Sequence, residues 1–368
     1  MAPTEDLRVA LVHYWLVGQR GGEKVLEALC RMFPSADIFT LFYEPESVSP
    51  LIRSRKVHVS GLNPFRKIYR SLLPLMPMAL ENFDLRDYDL VISSESGPAK
   101  GVITNAQTRH VCYCHTPMRY LWELSADYRA SIGNPLTRAL YAPFANYLRM
   151  WDYASAARVD KFIANSRTVR RRIWKTWRRR ASVVYPPVAV DTFRHESSAD
   201  YFLIVSEMVP YKRLGDAVRA FSRRERKLKI VGAGPEYKSL RRLATASVEF
   251  CGRVPDSQLR DLYARSSALI VPGEEDFGIA MVEALASGKP VIALERSGAS
   301  EILRDGCGLL YAEPGAEALE CAIVAFEPIQ DRFRPKFLQS RASYFSEERF
   351  DTRFRAALWP ARTTPAAV

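Results

Sequence analysis

The 368-residue chain has no apolar run long enough to span a bilayer, and its first residues lack the apolar core of a secretory leader. It also lacks low-complexity tracts and any long-period repeat, which argues against a solenoid. Cysteine is scarce. Six in a chain this long frame no disulfide scaffold, so reduced thiols in a cytosolic setting are expected. Cys112-Tyr113-Cys114-His115 invites a metal reading, but strand alternation sets both thiols opposite the imidazole. No second ligand pair follows at zinc spacing, so no metal is expected there. Acid is in deficit: 53 Lys and Arg face 41 Asp and Glu, for a formal charge of +12.

What is present is alternation. The length predicts two domains, each able to bury its own core. Arg8–Trp15, Ala36–Phe42, Leu90–Ser93, Val111–Cys114 and Lys161–Ala164 read as short apolar strands, with helical segments between most of them. A glycine-containing turn, Gly18 to Gly22, leads into a helix from Glu23 to about Met32. Ser182–Pro187 reads as a last strand and a hinge stiffened by two prolines. From Tyr201 the pattern restarts with Tyr201–Val205, Lys229–Gly232, Val248–Phe250, Ala268–Val271 and Pro290–Ala293, and Gln258–Ala264 fits one of the helices. Such alternation implies parallel sheets covered on both faces. The expected fold class is α/β, with two Rossmann-like domains whose parallel sheets face a central cleft. The tail Pro360–Val368 is expected to be disordered.

The most informative stretch is Pro272 to Val291. A buried strand precedes it, and Gly288 and Pro290 end its helix before the next strand. The loop therefore lies at the carboxyl end of a strand, where open α/β sheets bind ligands. It carries Glu275, with Phe277 and Gly278 near the helix start and Glu283 within the helix. Carboxylates there suit hydroxyl-rich ligands, and free helix amides suit phosphate oxygens.

Glu275 and Glu283, eight positions apart around Phe277-Gly278, resemble the Glu, seven residues, Glu pattern of the retaining glycosyltransferases of family 4. The resemblance runs from Val9 to about Tyr311. It implies the GT-B architecture: an acceptor-side domain over 1–186, a nucleotide-sugar-binding domain over 187–340, and a segment 341–368 whose helix near Phe345–Leu358 crosses back. It implies a hexosyltransferase that works with retention and without a metal or other cofactor. Gly21 and Gly22 match the glycine loop that faces the donor diphosphate. Lys212 matches a family lysine that neutralises the leaving diphosphate, but Glu207 stands where the family usually carries Arg, and Arg213 is a candidate substitute. His115 matches a histidine beside the transferred sugar. Arg253 lies in the segment near the nucleobase, Glu283 matches the residue that holds the ribose, and Glu275 with the Phe277-Gly278 backbone would orient the sugar. Ser297–Glu301 keeps only Gly298 and Glu301 of the Gly-Gly-x-x-Glu pattern.

Gly273–Ile279 and His115–Tyr120 most resemble the mannosyltransferases of bacterial polysaccharide and O-antigen assembly. That implies GDP-mannose as donor, a lipid-linked saccharide as acceptor, and a place on the inner face of the cell membrane. The dense Arg167–Arg180 run, with Trp174 and Trp177 on one side of a predicted helix, suits an anionic membrane surface. The same cations could meet nucleic-acid phosphates, or form a solvated helix with inward indoles; nucleic acid is not the expected partner. Phe65–Met78 reads either as an exposed flap near an interface or as core helices broken by Pro74 and Pro77. Asp87-Tyr88-Asp89 resembles a metal-binding D-x-D, but it precedes its strand, so capping is expected. The rival readings are a UDP-sugar-dependent transferase, a nucleotide-sugar epimerase and a non-enzymatic binding protein.

Overall fold

A computed structural model describes residues 7–359 except 297 and 305, so Pro360–Val368 lie outside the described residues. The chain forms two compact units, Met1–Tyr185 with Asp351–Val368, and Pro186–Phe350. The helix Glu347–Leu358 carries the chain from the second unit into the first.

The first unit is built on a seven-stranded sheet. In chain order its strands are β1 (Val9–His13), β2 (Asp37–Thr40), β3 (Val57–Val59), β4 (Leu90–Glu95), β5 (Arg109–Cys114), β6 (Lys161–Ala164) and β7 (Ala181–Val183). Their spatial order is β3-β2-β1-β4-β5-β6-β7, parallel throughout. β1 and β4 are buried along their whole length, which is why they read as continuous apolar runs rather than alternating ones. The second unit holds a six-stranded parallel sheet. Its strands are β8 (Phe202–Val205), β9 (Leu228–Val231), β10 (Val248–Gly252), β11 (Leu269–Val271), β12 (Val291–Leu294) and β13 (Gly308–Tyr311). They lie in the order β10-β9-β8-β11-β12-β13. Phe202, Phe221 and Phe326 fill the core between this sheet and the helices Leu214–Arg224 and Ala316–Phe326.

Both sheets are doubly wound. The chain reverses its direction of travel between β1 and β4 in one unit and between β8 and β11 in the other, opening a crevice outside the carboxyl ends of each pair. β3 and β13 add strands at the sheet edges that the sequence pattern did not mark.

Asp89 accepts the Arg8 amide at 2.9 Å and so caps the start of the sheet, as its position implies. The segment Asn63–Leu75 is a 3-10 coil followed by the helix Met76–Glu81, and it answers to both readings of the sequence. Met76, Ala79 and Leu80 enter the core, while Phe65, Ile68, Leu75 and Met78 face solvent. The two indoles of the basic helix Arg167–Trp177 do not act together, contrary to expectation. Trp177 is buried and donates to Asp152 at 2.7 Å; Trp174 is exposed. Three residues turn a helix by about 300°, enough to separate the two at the edge of a packed face.

Candidate functional site

The crevice between β8 and β11 is lined by Ser206, Lys212, Gly273, Glu275, Gly278 and Met281, with the strand ends beneath. Lys212 Nζ and Glu275 Oε2 stand 2.6 Å apart. Burial alone would lower the lysine, but Glu275 together with Tyr211 and Asp276 outweighs it, and the net shift is upward. Lys212 therefore stays an ammonium, and it also lies over the Tyr211 ring. Two chemically opposite groups thus share one crevice: a cation suited to phosphate oxygens and a carboxylate suited to sugar hydroxyls.

The loops reach this arrangement through backbone contacts that tolerate no side chain. A Cβ on Gly273 would fall 2.6 Å from the Lys212 backbone, and one on Gly298 would fall 2.2 Å from the Phe277 carbonyl. Gly298 N–H donates to the Glu275 carbonyl at 2.8 Å, pinning the loop. Gly278 takes φ +100° where the helix Ile279–Ala286 begins, a conformation only glycine adopts freely. After β9, Gly232 and Gly234 pack against the Ser206 and Met208 carbonyls. This second glycine pair went unmarked in the sequence, although a G-x-G directly after an apolar strand was its signal.

The other second-unit residues fall into different places. Glu283 is 4% exposed, and its Oε2 accepts the Tyr263 hydroxyl at 2.9 Å. It is not among the residues that line this crevice. The helix turns it inward, where a buried carboxylate needs a donor, and Tyr263 is that donor. Arg213 pairs with Asp216 at 2.9 Å. Arg253 is exposed beyond β10. Glu207 sits half-buried just past β8 and places a negative charge near Tyr211. Glu301 is buried beside Gly298.

The crevice of the first unit gathers a different set. His13 ends β1, Ser94 and Glu95 end β4, and His115 follows β5. Ser94 Oγ and His115 Nε2 lie 2.9 Å apart. Burial, and then the neighbouring His13, push His115 down to about 3, so it is neutral at any physiological pH. Gly22 lies against this cluster: a Cβ there would meet the Tyr14 hydroxyl at 3.0 Å and His115 Nε2 at 3.7 Å. Gly21 opens the helix Gly21–Met32, but Glu23 already accepts the Arg20 amide at that helix start. An anion there would meet a resident carboxylate.

Behind His115 lies a fully buried charge cluster. Lys100 bonds Asp152, whose other oxygen accepts the Trp122 and Trp177 indoles at 2.8 and 2.7 Å. Glu95 Oε1 is 3.7 Å from the same ammonium. Burial, with Asp152 adding to it, raises the Glu95 carboxyl to about 8 against the pull of Lys100. One ammonium thus serves one carboxylate, and the second carboxyl keeps its proton. The sequence reading missed His13, Glu95 and this cluster. Polar residues closing apolar strands were the available hint.

With this geometry, residues 19–192 match the model of Glycosyltransferase Family 4, and residues 191–333 match that of Glycosyl transferases group 1. The chain belongs to the family 4-like glycosyltransferases. This glycosyltransferase is 28% identical over 199 residues to the O-antigen chain mannosyltransferase RfbU of Salmonella typhimurium, covering 50% of this chain and 56% of that one. It is 31% identical over 126 residues to a GDP-mannose-dependent alpha-(1-6)-phosphatidylinositol dimannoside mannosyltransferase of Mycobacterium tuberculosis, 33% of each chain. It spans about half or less of the length of the curated relatives it matches. Among solved structures, Anabaena HepE in complex with UDP and glucose superposes with a TM-score of 0.69 at 15% identity, over 96% of this chain and 100% of that one. The two share the GT-B fold class.

Proposed function

We propose that this glycosyltransferase is a retaining hexosyltransferase that moves mannose from GDP-mannose to a hydroxyl of a lipid-linked saccharide in polysaccharide assembly. The observation that carries the reading is the Lys212–Glu275 pair at the β8/β11 switch point. When the donor enters, Lys212 exchanges its carboxylate partner for diphosphate oxygens. Glu275, released from the pair, accepts hydrogen bonds from the sugar hydroxyls. The bond from the anomeric carbon to the phosphate oxygen breaks, and negative charge gathers on the diphosphate, where the ammonium and the amides near Gly278 stabilise it. The acceptor oxygen bonds the anomeric carbon on the same face, and its proton passes to the departing phosphate oxygen. No side chain serves as a covalent nucleophile. Neutral His115, with Ser94, offers hydrogen bonds to hydroxyls without adding charge. The diphosphate charge is met by Lys212 and backbone amides, so the transfer needs no metal.

The mannose preference is supported by the two mannosyltransferase relatives, and the lipid-linked acceptor by the phosphatidylinositol named for one of them. An acceptor of that kind would hold the enzyme at the inner membrane face. Among the described residues no helix is long and apolar enough to cross a membrane, so the attachment we propose is peripheral. The test is transfer from radiolabelled GDP-mannose into extracted lipid-linked saccharides, in chelator and then in manganese, with UDP-glucose in parallel. Labelled α-linked mannose in the lipid phase with chelator present supports the reading. Transfer from UDP-glucose alone replaces mannose, a strict manganese requirement removes the metal-free route, and hydrolysis or epimerisation without an acceptor removes the transferase.

A further inference from the structure

Glu95 joins the two groups placed beside the sugar, Ser94 and His115, yet takes no part in the transfer itself. Its carbonyl accepts the His115 N–H at 2.7 Å, and its neighbour Ser94 holds the His115 ring at 2.9 Å. The histidine is therefore fixed at backbone and ring by one short stretch at the end of β4. The Glu95 side chain leaves the strand on the other face and is fully buried. Its Oε2 accepts the Lys100 N–H at 3.0 Å. Among the described residues its Oε1 has no hydrogen-bond partner.

An ammonium stands close enough to answer that oxygen. Lys100, on the 3-10 turn Ala99–Gly101, places its Nζ 3.7 Å from Glu95 Oε1, but bonds Asp152 of the helix Pro135–Ser155. The Trp177 ring lies beside the same ammonium at 4.5 Å. Asp152 does not depend on this lysine alone, since its other oxygen takes the Trp122 and Trp177 indoles. Three further titratable groups feel a charge on Glu95: Tyr14 just past β1, Cys114 opposite it on β5, and Tyr120. Burial raises all three, so they stay neutral and offset nothing. Lys100 is the cation to which a Glu95 carboxylate would turn.

The two states of Glu95 act differently on this lysine. As the acid it leaves the ammonium to Asp152, and the end of β4 is at rest. As the carboxylate its Oε1 needs a donor, because a buried anion without one is costly. The ammonium 3.7 Å away is then drawn toward it, and Asp152 can release it while keeping both indoles. The turn that carries Lys100 is already tied to Oε2 through its own amide, so the pull falls on the β4 end. That end holds the His115 N–H and carries Ser94. Burial, opposed by Lys100 and aided by Asp152, raises the Glu95 carboxyl to about 8, so both states are reached in ordinary buffers.

We propose that Glu95 is a positioning residue, which as the neutral acid keeps the Ser94–His115 pair in place for transfer and as the carboxylate draws it out of place. The inference rests on the reading of His115 as a hydrogen-bonding group beside the sugar, and it ties the rate to a proton that no reacting group carries.

The test has two readouts on the full chain, for wild type, E95Q and E95A, with thermal melting as the check on folding. The first needs no substrate: magnetic resonance of isotope-labelled histidine, with the His115 signal assigned by its loss in His115→Asn. In wild type that signal should move with a midpoint near 8, although the imidazole itself stays neutral there. In E95Q, which is uncharged at every pH, it should not move. In E95A, which removes the acceptor of the Lys100 amide, it should be displaced at every pH. The second readout is kcat for mannose transfer from GDP-mannose. Wild type should fall about 3–10-fold as pH rises through the same step, the worth of one hydrogen bond, and E95Q should show no such step. A His115 signal that stays put in wild type, or that moves equally in E95Q, would overturn the proposal. So would a wild-type fall in kcat that E95Q shares. Should E95Q not fold, the wild-type His115 titration decides alone. A His115 signal that moves as expected in a chain that transfers no mannose would support the positioning role and remove the mannose reading instead.

Discussion

The carboxyl edges of the two sheets share one topology and differ in how they treat charge. Behind β1/β4 the charged side chains are dry: Glu95 is pushed up to about 8 and one buried ammonium is left for Asp152, while the half-buried His115 is pushed down to about 3. At β8/β11 an ion pair stands in the crevice, and its lysine is held charged. The winding of the sheet supplies the crevice; the residues on its loops decide whether that crevice favours neutral hydroxyls or a diphosphate. A dry edge also has a cost that a wet one avoids, since its polar groups must satisfy one another.

The largest effect that would sharpen this contrast lies in the dry edge. Lys100→Met leaves two carboxyls buried without their cation and should cost about 3–5 kcal/mol of stability, read by denaturant unfolding. A loss below about 1 kcal/mol would mean that water reaches the cluster and that the two edges are alike. Lys212→Ala should do the reverse: little change in unfolding, but a fall in kcat of about 10²–10³-fold, because the cation meets a diphosphate whose charge grows as the bond to the sugar breaks.

His115→Asn, which removes the imidazole, should slow transfer about 3–10-fold, the worth of one uncharged hydrogen bond. The wild-type rate should show no titration of this group between about pH 5 and 8. An imidazole step near pH 6.5 would break the account of a desolvated edge. Stability should respond even so. The folded His115 stays neutral while the unfolded chain protonates below the ordinary value of 6.5, so stability falls as pH drops from 6.5 toward 3. Melting curves of His115→Asn should be less steep over that window.

The smallest expected change is a gain. Glu207→Arg restores a cation beyond β8, where the family usually has one, and should tighten donor binding several-fold.

The sequence made some of this legible and hid the rest for physical reasons. The strand Leu269–Val271, the Glu275–Gly278 loop and the helix Ile279–Ala286 could be read because their signals lie within twenty residues: an apolar run, a glycine at the turn, and helical spacing. β3 and β13 were not legible, since strands of three and four residues at a sheet edge carry little periodicity. The Lys100–Asp152 contact spans 52 positions and has no local signature. Glu283 shows the limit most plainly. Its spacing from Glu275 is regular, but its partner Tyr263 arrives from another helix, and tertiary packing decides which way the carboxylate is satisfied.

The account stands most directly on the donor and its cation, so the decisive measurement is a calorimetric titration of the full chain with GDP-mannose in chelator, repeated on Lys212→Ala and His115→Asn. Binding that weakens at least about tenfold in Lys212→Ala and hardly at all in His115→Asn is the predicted result, since one charge-assisted contact to phosphate is worth about 1.5–3 kcal/mol. Equal binding by wild type and Lys212→Ala would contradict it, and would remove the β8/β11 crevice as the seat of the diphosphate.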